Sequence, residues 1–177
     1  MSNGENYRNE GMRLYREGRY EEAAARFAES QAAFAAESRA KDAAESANNR
    51  GVCWRQSARW DEARAAFEEA RAAFKALGDA SGEGQVVGNM GALADSEGQL
   101  EAAAAYYAEA IALLESSGEK DLAQATYAAL SRLKMRQGNW VGAINAYETG
   151  LAHVDKPSPM QKMLKRFLGV PRKLSGG

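Results

Sequence analysis

The feature that most restricts what this chain can fold into is a period. Shifted by forty residues the sequence aligns with itself, so that Asn9, Asn49 and Asn89 each stand two positions before a glycine, Gly11, Gly51 and Gly91. Asn and Gly are both poor helix formers, yet each pair interrupts a stretch that otherwise reads as helix. A second set of columns follows. Tyr20, Trp60, Leu100 and Trp140 come first, then Ala23, Ala63, Ala103 and Ala143, then the aromatics Phe27, Phe67, Tyr107 and Tyr147. Small residues recur at Ser30, Ala70, Ala110 and Gly150, and large ones at Phe34, Phe74, Leu114 and Val154. Steps of three and four draw one face of a helix. Just ahead of that face Gly18, Ala58, Gly98 and Gly138 mark a tight turn, and ahead of the turn lies the helix that carries the asparagines.

Each unit is therefore expected to be helix, turn, helix, with a second helix whose large and small residues alternate. The small ones admit a partner helix and the aromatic fills the groove beside it. One such hairpin cannot bury its apolar face, but a stack can, and about three units suffice for a stable array. The repeats are expected at about 4–38, 40–78, 80–118 and 120–156, followed by a tail at 157–177.

The bulk numbers agree with a helical array. The chain has 177 residues, 45% apolar and 27% charged, with no run near the ~20 apolar residues that a membrane span needs. The opening "MSNGENYRNE" has neither a basic stretch nor an apolar one, so the expected compartment is the cytoplasm. A single cysteine, Cys53, rules out an internal disulfide and falls in a helical apolar pattern, which predicts a buried thiol. Net charge is −1, but its distribution is uneven: of 23 Lys and Arg, six lie beyond residue 155, and of 24 acids none does. Residues 1–155 are thus acidic at −7. All three prolines also lie in the tail, so no obligatory helix breaker interrupts the repeats.

Small-Gly in the first helix, Gly-x-aromatic at the turn, and the second-helix stretches "EAAARFAES", "EARAAFEEA", "AAAYYAEAI" and "GAINAYETG" resemble tetratricopeptide repeats. The common repeat has 34 residues; the forty here resembles a lengthened variant, with "LGDASGEG" and "SSGEKD" as turns between repeats. The resemblance covers about residues 4–156 and implies an all-α, TPR-like α-solenoid of four helix-turn-helix repeats with a C-terminal amphipathic helix. It also implies a binding scaffold. Four positions depart from the pattern: Glu10 and Arg50 where an aliphatic residue is usual, Ala58 at a turn glycine, and Ser131 in the Gly column. Arg50 is expected to reach solvent or pair with an acid, and the packing between the first two repeats is expected to be less regular.

In such an array the first helices line the concave side. The asparagines then form a ladder up a groove, as in tetratricopeptide proteins whose asparagines clamp a peptide backbone. An amide supplies both donor and acceptor to an extended chain, and one asparagine per repeat would grip about every third residue. Helical steps around the ladder add Arg8, Met12, Tyr15, Arg16, Val52, Arg55, Arg132, Met135 and Arg136 as further peptide-binding candidates. The arginines at both ends suit a ligand bearing carboxylates. The expected partner is a protein or peptide, acidic in one version, and no nucleic acid. The likeness to chaperone-binding members is incomplete, since Arg8 and Asn49 fit while Met12, Gln85 and Asn89 replace other residues.

In the tail, Met160, Met163, Leu164, Phe167 and Leu168 form an amphipathic face opposite Lys162, Lys165 and Arg166. The plain expectation is a cap on the open end of the stack. Weak contact with an anionic membrane, insertion into a partner or a second copy, and occupation of the chain's own groove are the alternatives.

Catalytic chemistry finds little support in the sequence. The only histidine, His153, has no carboxylate or Cys at ligand spacing. The glycines of "GDASGEGQVVGNMG" follow no strand and precede no Gly-Lys-Ser/Thr, so they are not a phosphate loop. The expectation is a non-enzyme with no metal and no cofactor.

Overall fold

The computed structural model describes residues 2–152, which form eight α-helices and, among the described residues, no strand. In chain order these are α1 (Asn3–Arg16), α2 (Tyr20–Ala36), α3 (Ala40–Gln56), α4 (Trp60–Leu77), α5 (Ala80–Ser96), α6 (Leu100–Ser116), α7 (Lys120–Arg136) and α8 (Trp140–Ala152). Successive helices pack on each other along the whole array. This is the α-solenoid of helical hairpins that the forty-residue period predicts. His153, Val154 and the tail residues Met160 to Leu168 lie outside the described residues.

The structure also contains a shorter period. Every connection, within and between hairpins, bends at one residue of positive φ, and these fall twenty apart: Gly18, Ser38, Ala58, Gly78, Gly98, Gly118 and Gly138, with φ between 56° and 79°. At each the next residue's N–H reaches back to close the helix end, as in Gln99 N–H donating to Ala94 O at 2.8 Å. Five glycines meet this demand without strain; Ser38 and Ala58 meet it with a Cβ in place. The first helix opens differently, with Ser2 and Glu5 exchanging hydrogen bonds in a capping box.

The alternating face of the second helices is the core. Ala23, Ala63, Ala103 and Ala143 are buried, and so are Phe27, Phe67 and Tyr107, and Phe34, Phe74 and Leu114. The glycine column explains itself against these rings. A Cβ at Gly51 would stand 2.6 Å from two atoms of the Phe67 ring, and one at Gly91 2.8 Å from Tyr107. At Gly11 the nearest Phe27 atom would be 3.1 Å away. The glycines therefore seat an aromatic ring of the paired helix, rather than simply letting two backbones approach. In the fourth unit Ser131 replaces the glycine and its hydroxyl donates to Ala143 O at 2.8 Å.

Two departures from the repeat pattern resolve here. Arg50 pairs with Glu69 on α4 at 2.6 Å, and Glu10 lies 3.3 Å from Arg26. The junction between the first two repeats does differ from the other two, by closer packing: α2 packs on α3 more extensively than α4 on α5 or α6 on α7. A buried polar contact lies within that junction. Ser30 and Ser46 Oγ lie 3.0 Å apart, each with a backbone acceptor, Gly4 O and Asp42 O, at 2.9 Å.

Candidate binding groove

The inner face follows from which helices meet. α3 touches α5 and α5 touches α7, whereas α4, α6 and α8 make no comparable contact with one another. A stack whose first helices stand closer than its second helices curves toward the first. The inner surface is thus built by α1, α3, α5 and α7.

Side chains tie both surfaces together, in different registers. On the inner side a residue late in one helix meets the residue one position further in the next repeat: Gln56 Nε2 donates to Tyr15 Oη at 3.2 Å, and Arg136 pairs with Asp95. Asn89 Nδ2 donates to Asn48 Oδ1 at 2.9 Å with the same offset of 41. On the outer side the offset is 38, in Gln31 to Glu69 and Arg71 to Glu109.

Two clefts open between consecutive inner helices. The first, about 210 Å³, lies between α3 and α5, with Asn48, Asn49 and Gln85 on its walls, Phe74 beneath, and Lys41 and Glu45 at the mouth. The second, about 280 Å³, lies between α5 and α7. Its walls are Gly88, Asn89 and Ala92 on one side and Leu122, Thr126 and Ala129 on the other, over a floor of Tyr107 and Leu114. The combination is amides above an apolar floor. Such a surface can hydrogen-bond an extended backbone while burying its side chains.

The sequence-derived candidates separate into groups. Asn49 lines the first cleft and Asn89 the second, while Asn9 is exposed on α1. Asn89 is not wholly available, since it spends a donor on Asn48. Arg8 is engaged: it pairs with Asp42 at 2.9 Å and Glu45 at 3.7 Å and lies over the Phe34 ring. Tyr15 is engaged by Gln56 and packs near Tyr20, Val52 packs against the core, and Arg136 is held by Asp95. Met12 and Met135 are exposed, at 39% and 40%, and Arg16 and Arg132 are exposed too. Asn48 and Gln85, on the same helical stripe as the ladder, and Tyr107, a core position, line the clefts too. Asn48 was legible as a doubled Asn at 48 and 49; the role of Tyr107 as a floor had no signal apart from the core pattern.

Charges at the opposite end of the inner helices are balanced. Burial raises the Asp42 pKa, but hydrogen bonds from Arg39 and Arg8 outweigh it and leave the carboxyl below its ordinary value. Asp79 caps α5 by accepting from Gly82 N–H at 2.9 Å and pairs with Lys41 at 2.7 Å. That backbone hydrogen bond, with Lys41 second, lowers its pKa. Burial pushes the Tyr107 hydroxyl up, helped by Asp95 and opposed by Arg55, Arg132 and Arg136. Cys53 is buried, and burial pushes its thiol up to about 12. Among the described residues no cluster of His, Cys, Asp or Glu could hold a metal, and no helix is long and apolar enough to cross a membrane.

Comparisons with known proteins point one way. The tetratricopeptide repeat family matches residues 42–116, from α3 through α6. BtubC from P. vanneervenii superposes with a TM-score of 0.72 at 19% identity, over 88% of this chain and 66% of BtubC. Aspartyl phosphate phosphatase F from Bacillus subtilis superposes at 0.82 and 17%, over 93% of this chain and 44% of the phosphatase. The TPR-like repeats from Podosopora anserina superpose at 0.71 and 14%, over 93% and 82%. Identities this low speak for the fold alone. The chain spans just under two thirds of BtubC and less than half of the phosphatase. No curated protein matches the sequence.

Proposed function

We infer that this tetratricopeptide-repeat protein is a non-catalytic scaffold that holds an extended segment of a protein partner along α1, α3, α5 and α7. The observation that carries the reading is the pair of clefts between consecutive inner helices, each with side-chain amides above an apolar floor. Hydrogen bonds alone would be too weak. At about 0.5–1.5 kcal/mol each, a few amides fall short of the roughly 8 kcal/mol behind micromolar affinity. Phe74, Tyr107 and Leu114 are already buried, so the remainder has to come mainly from the ligand's own apolar surface removed from water, at about 25 cal/mol per Å².

The test is selection of displayed random 12-residue peptides on the protein, followed by affinity measurement on the winners. Asn49→Ala with Gln85→Ala should weaken them at least tenfold, and Ala129→Phe, which fills the second cleft, should do the same. Winners that bind both variants as tightly as the parent would place the binding surface elsewhere.

A second reading has one observation in its favour. Trp140, Val141 and Ile144 of α8 are 64%, 56% and 43% exposed. Where α8 has Val141, earlier repeats have Glu21, Asp61 and Glu101. At position 141 the last described helix is therefore apolar where its equivalents are charged, as a self-association surface would be. Light scattering on Val141→Glu with Ile144→Glu addresses this: loss of a dimer supports assembly through α8, and a monomeric parent removes it. Deleting residues 157–177 in parallel asks whether the tail contributes to assembly or to vesicle binding.

A further inference from the structure

Ten of the thirteen arginines among the described residues stand in an ion pair with a carboxylate. The three that stand in none, Arg16, Arg55 and Arg132, all lie on inner helices, toward their carboxyl-terminal ends. Helix dipoles favour cations there, which explains charge at these ends but not the lack of acids. The only acid on the same face of α5 is Asp95, and Arg136 holds it.

Arg55 is the sharpest case. Its Nε is buried and has no hydrogen-bond partner. The inner register shows why. A residue at this position reaches the next repeat one position further on: Tyr15 meets Gln56 and Asp95 meets Arg136. The equivalent partner of Arg55 is Ser96, and its hydroxyl turns back to donate to Ala92 O at 2.9 Å. One rung is missing, and a guanidinium waits at it. A buried donor without an acceptor is costly unless something arrives to satisfy it. From the other side α7 brings Arg132 and Arg136 toward the same end of α5. The Tyr107 hydroxyl, on the floor of the adjoining cleft, feels all three arginines.

We propose that Arg55 and Arg132, with Arg136 beside them, form a carboxylate-receiving site at the carboxyl-terminal end of α5, so that the groove takes a peptide bearing Asp or Glu. The proposal rests on the groove reading above and adds its selectivity. Guanidinium forks match a carboxylate with two parallel hydrogen bonds. The site is apart from Asn49 and Asn89, so backbone grip and charge selection are separable.

The displayed-peptide selection tests both at once. Peptides won by the parent protein should carry Asp or Glu at one fixed position, and replacing that acid by Asn or Gln should weaken binding at least tenfold. On Arg55→Gln with Arg132→Gln the acidic and amide versions should bind within about twofold of each other. Arg55→Lys with Arg132→Lys should retain part of the preference. Both variants should keep the parent's far-UV spectrum, since neither arginine stands in an ion pair or hydrogen bond that holds the array. Selected peptides without a fixed acid, or a preference that survives the Gln substitutions, overturn the carboxylate site. If those same peptides still lose affinity to Ala129→Phe, the groove reading stands without it. Selection of nothing above an unrelated control protein overturns both.

Discussion

Replacing Gly51 by alanine tests why the glycine column exists. In an exposed helix interior the change gains about 0.8–1.0 kcal/mol of helix propensity. Here the new Cβ would stand 2.6 Å from Cδ1 and Cε1 of Phe67, a ring that is fully buried. Carbon atoms in contact prefer about 3.5–4.0 Å, so the ring must retreat by about 1 Å inside packing that has no slack. Overfilling of this kind costs typically about 1–3 kcal/mol. A ring that must shift by about 1 Å belongs in the upper half of that range, about 2–3 kcal/mol, so the balance is a loss of about 1–2 kcal/mol, which for a chain of this size lowers the melting temperature by roughly 2–8 °C. Gly88→Ala is the control. Its Cβ would meet Ala110 Cβ at 3.8 Å and Thr126 Oγ1 at 4.0 Å, ordinary contacts, so it should stabilise by up to about 1 kcal/mol. Urea unfolding followed by far-UV circular dichroism and by tryptophan fluorescence reads both, and coincidence of the two probes checks that the array melts as a unit. Phe67→Leu should relieve Gly51→Ala in a double-mutant cycle. If Gly51→Ala is as stable as the parent, seating of the ring is not what keeps the glycine there.

Three further outcomes follow from the geometry. Ala58→Gly, at φ 56°, should stabilise by roughly 0.5–1 kcal/mol because it removes a left-handed strain of about 1–2 kcal/mol at some cost in unfolded-chain entropy; the reverse change Gly98→Ala should destabilise, and melting temperatures read both. Asp42 and Asp79 have folded pKa values below their unfolded ones, so their contribution is present above the ordinary carboxylate range near 3.9 and is lost as pH falls through the folded values. A melting temperature that does not fall below about pH 4, or falls equally in Asp42→Asn, would contradict this. Cys53, buried with its thiol pushed up to about 12, should resist a thiol reagent at neutral pH until urea unfolds the array; immediate stoichiometric reaction of the native protein would refute the burial.

How much of this was legible beforehand divides along a physical line. The period, the paired helices and the buried columns from Ala23 to Phe74 could be read directly, because a helical face is set by spacings of three and four within one segment. The sequence also contained the seven turn residues, but only four drew notice as a column. Ser38, Gly78 and Gly118, between repeats, fall outside that column, and Ser38 has no glycine to mark it, although the chain bends there as it does at Gly98. Arg50 could be foreseen to need an acid, yet not that Glu69 would be the one.

The asparagine ladder shows where local reading stops. A period of forty places Asn49 beneath Asn89, but from the middle of the inner helices to their carboxyl-terminal ends side chains meet at an offset of 41, whereas Lys41 meets Asp79, and outer side chains meet, at 38. That shift by one residue gives Asn89 to Asn48, Asp95 to Arg136, and leaves Arg55 facing a serine already occupied. The chain alone decides which residues share a helical face, since that depends on bonds a few residues apart. Which polar groups are spent on a neighbour and which stay open for a partner depends on how two helices slide past each other, and only the stacked array settles that.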